Sequence, residues 1–130
     1  MVIDSDIHDL QKLNSELSKN FAVLTCSRGT KALNLLQIFQ PVALLLDPTI
    51  FRAGAKEFIH QVRSIPQGAI PIIALTKITT MKQIEDSFCS GVDLVYSKPC
   101  ANDRIRLKLL EILSKPQFPK DSRELATAQI

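Results

Sequence analysis

Cysteine is scarce and unpaired in this sequence. Cys26, Cys89 and Cys100 stand far apart and form no C-x-x-C pair. That argues against a disulfide scaffold and against a thiolate zinc site, and suits a reducing compartment. No apolar run is long enough to cross a bilayer. No signal peptide shows either, because position 4 is already acidic and no apolar core follows a basic start. The expectation is a cytoplasmic protein without membrane contact. Charge of one sign is also in short supply: the net charge is +3, small beside the phosphate neutralisation that direct nucleic-acid binding needs.

What is present fits one globular domain. The chain has 130 residues, of which 45% are apolar and 22% charged, enough for a proper core. The basic excess is local. Residues 1–97 hold 9 basic and 9 acidic residues, whereas the stretch from Lys98 onward holds 7 basic and 4 acidic. That face reads as a solvated helix surface or as a docking surface for an acidic partner.

The chain is organised around Val42-Ala43-Leu44-Leu45-Leu46-Asp47. An unbroken apolar run of this length reads as a strand buried on both faces of a parallel sheet. Ligands of such sheets bind at the carboxyl edge, where Asp47 falls. A carboxylate there needs a cation or a metal beside it.

In chain order, Met1-Val2-Ile3 makes a very short first strand, as if the chain began inside a longer one. Asp6 caps a first helix over 7–17, with Ile7, Leu10, Leu13 and Leu17 at helical spacing. Residues 21–25 read as the second strand. Thr30 is placed to cap a second helix carrying Ala32, Leu33, Leu35, Leu36, Ile38 and Phe39, which Pro41 stops. A third helix shows Phe58, Ile59 and Val62 on one face. Residues 70–75 form a fourth strand, and Thr80-x-x-Gln83 is a capping box for a helix with Met81, Ile84 and Phe88 inward, ended by Gly91. Residues 94–97 are the fifth strand. A last helix carries Ile105, Leu109, Ile112 and Leu113, with Arg104, Arg106 and Lys108 outward. Residues 115–130 read as a linker or the start of a truncated following segment. Five strands alternating with helices predict an α/β fold with a parallel sheet covered on both faces.

Polar residues fall at four strand ends: Asp4 with Ser5 and Asp6, then Asp47, Thr76 and Lys98. In a parallel sheet these ends converge. Carboxylates for a hard cation such as Mg²⁺, a hydroxyl donor and an ammonium are the groups that phosphoryl chemistry uses. Asp47 is a candidate nucleophile.

Five motifs in this order, Val2-Ile3-Asp4-Ser5-Asp6, Arg28-Gly29-Thr30-Lys31-Ala32-Leu33, Leu44-Leu45-Leu46-Asp47, Pro71-Ile72-Ile73-Ala74-Leu75-Thr76 and Ser97-Lys98-Pro99, resemble the receiver domain of two-component response regulators over residues 2–114. The resemblance implies a flavodoxin-like, doubly wound sheet of strand order 2-1-3-4-5. It implies Asp47 as phospho-acceptor, Thr76 as the switch hydroxyl and Lys98 as the phosphate-facing lysine. Mg²⁺ would be held by Asp4, Asp47 and the backbone carbonyl of Thr49, with Ser5 or Asp6 as a further ligand. It also suggests a cis Lys98-Pro99 peptide. The implied partner is a histidine kinase or phosphotransfer protein, with an output domain or a second copy at the basic C-terminal face. The module would be regulatory rather than an enzyme acting on a metabolite.

The chain departs from that pattern in places. Ser5 stands where the family has an acid; Asp6 is one substitute, and Asp4 aligning with the second acid is another. Phe51 and Ala55 replace the usual Pro and Gly, Lys77 follows the switch hydroxyl where a small residue is usual, and Val95 holds the aromatic switch position with Tyr96 one place later. These departures keep open a receiver-like interaction module that takes no phosphate. A flavodoxin-type redox protein is a third reading, against which stands the missing hydroxyl- and Gly-rich loop after the first strand. His8 and His60 show no metal spacing, and Cys100 beside Lys98-Pro99 is a weak candidate for a reactive thiol.

Overall fold

The structure, a computed structural model, describes residues 1–66, 68–78 and 80–114. The expected linker over 115–130 lies outside them. Five parallel strands lie in the order β2-β1-β3-β4-β5. They are β1 (Val2–Ile3), β2 (Thr25–Cys26), β3 (Leu44–Leu46), β4 (Ile72–Thr76) and β5 (Leu94–Ser97). Between and after them run α1 (Ile7–Leu17), α2 (Gly29–Phe39), α3 (Lys56–Ser64), α4 (Met81–Cys89) and α5 (Asn102–Ser114). This is the expected flavodoxin-like, doubly wound α/β sheet of order 2-1-3-4-5.

Side-chain alternation along the strands divides the core in two. Ile3, Leu44, Leu46, Ile72 and Ala74 face α2 and α3, where they meet Leu36, Ile59 and Val62. Val2, Leu45, Ile73 and Leu75 face the other way, onto Leu10, Leu13 and Leu17 of α1 and Ile105 and Leu109 of α5. Every residue of β3 is buried, as expected of a central strand. The same alternation sends Val95 to the first layer and Tyr96 to the second, so Tyr96 cannot replace an aromatic at position 95.

Several expectations need correction. The second strand is Thr25–Cys26, not 21–25; it pairs with Val2 and Ile3, and Val2 N donates to Leu24 O and Asp4 N to Cys26 O at its two ends. The central strand starts at Leu44, and Val42 is 64% exposed because pairing begins with Leu44 N donating to Pro71 O. The fourth strand likewise begins at Ile72. Arg28, without a side-chain cap, precedes α2, so Thr30 lies inside the helix, whose last apolar residues Ile38 and Phe39 are exposed. Ile7 sits in the first turn of α1 and is exposed. The capping box of α4 is present as read, but Met81 (71%) and Phe88 (47%) face solvent. That helix ends at Cys89, with Ser90 as C-cap, and Gly91 follows at φ 106, in the left-handed region.

Arg63 fastens the edge of the sheet where β4 and β5 begin. Its guanidinium donates to the carbonyls of Gly68, Ile70 and Gly91 and to Asp93 Oδ2. The same Asp93 oxygen accepts from Ile72 N at 2.8 Å.

Candidate functional site

Register fixes what meets at the opposite edge. Ile3 pairs with Leu46, Leu46 with Ala74, and Thr76 with Ser97. The residues that follow these pairs, Asp4, Asp47 and Lys98, therefore emerge side by side. They line an open cleft of about 480 Å³ together with Ser5, Asp6, Asp9, Thr49, Thr76, Lys77 and Pro99. An apolar cavity of about 380 Å³ lies at the other edge, among residues such as Leu17, Phe21, Phe39 and Leu113, and no ionisable side chain lines it. Of these two, the carboxyl-edge cleft is the one lined by ionisable side chains.

Lys98 is the centre of the cleft. Its Nζ lies 2.6 Å from Asp4 Oδ2, 2.8 Å from Asp47 Oδ2 and 3.1 Å from Asp9 Oδ2. Burial alone would lower the pKa of this ammonium, but the bonds from Asp4, Asp47 and Asp9 more than reverse that and hold it above the ordinary lysine range. Burial likewise pushes the Asp47 carboxyl up, and the bonds from Lys98 and Thr49 outweigh it, so Asp47 stays below its ordinary value. Both groups are charged at neutral pH.

Local sequence holds each carboxylate in place. Asp47 caps the 3₁₀ turn Pro48–Ile50: its Oδ1 accepts from Thr49 N at 2.9 Å and Thr49 Oγ1 at 2.7 Å. Oδ2 is left facing Lys98. Asp4 Oδ1 accepts from Asp6 N. Asp6 Oδ1 accepts from His8 N and Asp9 N, so this side chain is the α1 cap, as read from sequence. Ser5 is exposed at the rim, and so is Lys77. Thr76 is buried at the end of β4, and its carbonyl accepts from Lys98 N. The Lys98-Pro99 peptide is cis.

The structure thus brings Asp4, Asp47, Thr49, Thr76 and Lys98 together, with Ser5 and Asp6 beside them. Sequence reasoning missed Asp9. It lies one turn into α1, where an acid normally reads as a solvated partner of the helix dipole. The readable signal was an acid one turn beyond a site that lacks one at Ser5. Lys98 and Arg106 do not add to a basic C-terminal face: Lys98 is spent on the cleft, and Arg106 bonds Glu16 and Asn20 of the α1 side. Cys100 gives no support for a reactive thiol, because burial pushes its pKa up and the nearby Lys98 offsets this only in part.

The Asp4 and Asp47 carboxylates and the Thr49 carbonyl are hard oxygen donors, the chemistry a small divalent cation requires. Among the described residues no set of three or more His, Cys, Asp or Glu side chains is arranged to hold a metal by itself. A cation here would be completed by a carbonyl and water, as suits Mg²⁺.

Fold and cleft define a class: a doubly wound α/β domain with an acid-and-lysine pocket at the carboxyl edge of its sheet. No protein-family model matches the chain. It is 27% identical over 127 residues to the response regulator MprA of Mycobacterium avium, a match covering 97% of this chain and 55% of that protein. The MprA of Mycobacterium tuberculosis is 26% identical over 125 residues, covering 95% and 54%. The chain therefore spans about half the length of the curated relatives it matches. A two-component response regulator from Clostridium difficile superposes with a TM-score of 0.80 at 21% identity, over 88% of this chain and 93% of that one. The receiver domain of NtrX from Brucella abortus gives 0.77 at 16%, over 88% and 98%. These similarities support a receiver domain of two-component response regulators. No helix among the described residues is long and apolar enough to cross a membrane.

Proposed function

We propose that this chain is a phospho-accepting receiver that takes a phosphoryl group on Asp47 from a partner histidine kinase or phosphotransfer protein. The observation that carries the reading is the Lys98 ammonium bridging Asp4 Oδ2 and Asp47 Oδ2 at the carboxyl edge. An Asp47 oxygen attacks phosphorus. The O–P bond forms as the donor's P–N bond breaks, and the electron pair leaves on the imidazole. Lys98 donates to a phosphoryl oxygen and the Thr76 hydroxyl to another. Asp4, Asp47 and the Thr49 carbonyl would hold Mg²⁺, which when bound supplies positive charge against the phosphoryl oxygens. Asp6 is a poor further ligand, since its Oδ1 already serves two backbone amides.

The readout face in this proposal is α4, β5 and α5, where Met81, Phe88 and Leu107 are exposed apolar residues awaiting a partner or a second copy. A soluble, cytoplasmic setting belongs to the same proposal. The test is labelling by acetyl phosphate with Mg²⁺: the wild type acquires a hydroxylamine-labile phosphate and Asp47→Asn does not. Equal labelling of the two proteins refutes the assignment.

A second reading is favoured by Ser5 and by Lys77, an exposed cation at the mouth of the cleft. In it the domain binds its partner constitutively and takes no phosphate. Partner affinity that is the same with and without beryllofluoride supports this reading, and a clear difference removes it.

A further inference from the structure

The cleft holds one more acid than its pattern accounts for. Asp4, Asp9 and Asp47 all bond Lys98 Nζ, and three carboxylates against one ammonium leave a net charge of −2. Without Asp9 the same group would carry −1. Position 5, adjacent to Asp4 and on the rim of the same cleft, is the neutral and exposed Ser5. Asp6, the other nearby acid, is committed to capping α1.

We infer that Asp9 is a positioning residue that compensates for the carboxylate missing at Ser5, by holding Lys98 from the α1 side while a divalent cation engages Asp4 and Asp47. The inference rests on the proposed function. A cation reaching those carboxylates must take over oxygens that Lys98 now occupies at 2.6 and 2.8 Å. A half-buried ammonium stripped of its partners would oppose that exchange. Asp9 provides the alternative. Its side chain is 43% exposed against 8% for Asp4 and 10% for Asp47, so it can follow the lysine outward while the other two turn to the cation. Its negative charge beside the cleft also favours a nearby cation.

The experiment is a Mg²⁺ titration of the full chain, read from amide NMR shifts at Asp47 and Thr49. It compares the wild type with Asp9→Asn, Asp6→Asn and the double variant Ser5→Asp with Asp9→Asn. Outer residues of a metal site are worth roughly 10- to 100-fold in affinity. Asp9→Asn should weaken Mg²⁺ by at least the lower figure, Asp6→Asn should stay within about twofold because asparagine also caps a helix, and Ser5→Asp should recover most of the loss. A merely structural role for Asp9 would lower stability and leave the affinity of the folded protein unchanged. Asp9→Asn binding like the wild type, or no recovery from Ser5→Asp, overturns the inference while the phosphorylation reading stands. A wild type that shows no Mg²⁺ response at millimolar concentration overturns both.

Discussion

Replacing Arg63 with alanine removes a four-way tie. Its Nη1 donates at 2.6 Å to Gly68 O and at 2.6 Å to Ile70 O, and its Nη2 donates at 2.8 Å to Gly91 O and at 3.0 Å to Asp93 Oδ2. Those acceptors lie in the loop after α3, just before β4, and in the α4–β5 turn. A hydrogen bond contributes about 0.5–1.5 kcal/mol net, more when one partner is charged. Simple addition overshoots, because the guanidinium is 20% exposed and Asp93 44%, so water replaces part of what is lost. An exposed ion pair alone is worth about 0–1 kcal/mol. The three carbonyls raise the expected loss to about 2–4 kcal/mol. For a chain of 130 residues that is roughly an 8–16 °C fall in Tm, at about 4 °C per kcal/mol. Urea unfolding followed by circular dichroism measures it, with an unchanged m-value expected. Arg63→Lys should recover less than half, since a point ammonium cannot serve four acceptors in a plane. Because the tie is at the edge opposite Asp47, the folded variant should keep its beryllofluoride response. A loss under about 0.5 kcal/mol would refute the reasoning and reduce Arg63 to an ordinary surface cation.

Three further outcomes are expected. Asp47 sits below its ordinary pKa in the folded protein, so the stability it gives is present above the unfolded value of about 4 and disappears as pH falls through the folded one. The urea-midpoint advantage of wild type over Asp47→Asn should therefore shrink on titration from pH 6 to pH 3, and a gap that widens in acid contradicts the ion-pair account. A Cβ at Gly68 would run into the Val62 carbonyl oxygen, so Gly68→Ala must move backbone and should cost on the order of 2 kcal/mol in the same assay. Thr80→Ala removes the bond to Gln83 N and half of the α4 capping box; about 1 kcal/mol should be lost, with the beryllofluoride-free NMR spectrum changed mainly in α4.

Legibility in the sequence followed burial. The first and last strands of the reading, β1 and β5, and the helix α1 fall where the pattern puts them, because Leu10, Leu13 and Leu17 are spaced for one buried face and Asp6 marks the start. The failures lie where an apolar residue does not mean a sheet or a core. Residues 21–24 are apolar because they border the cavity at the amino edge, yet the ladder of β2 lies beyond them at Thr25–Cys26. Val42, Ile38, Phe39, Met81 and Phe88 are exposed, and periodicity cannot distinguish an apolar residue held for a partner from one held for the core. Asp4, Asp47, Thr76 and Lys98 were legible because a parallel sheet brings the residues after its strands to one edge, wherever the strands themselves begin. Asp9 was not, since no strand delivers it: it comes from a helix, and only packing of α1 against α5 sets how near it lies to Lys98.

That packing matters to how a covalent change at Asp47 would spread. Lys98 ties together residues 94, 51 and 89 positions away, and so links β1, β3 and α1 to the start of the loop leading into α5. A phosphoryl group on Asp47 offers this ammonium a stronger acceptor than any carboxylate now bonded to it. Lys98 cannot satisfy the new acceptor and keep all three old ones, because an ammonium has three donors. With Mg²⁺ drawing Asp4 and Asp47 away, Asp9 is the carboxylate that Lys98 keeps. The first turn of α1 then follows the ammonium as it turns to the phosphoryl group, while Arg106 of α5 remains held to Glu16 further along the same helix. On this argument the two ends of α1 respond differently to phosphorylation: amide shifts on forming the beryllofluoride complex with Mg²⁺ should be larger around Asp9 than around Glu16, and the reverse order would mean that Asp9 does not move with Lys98.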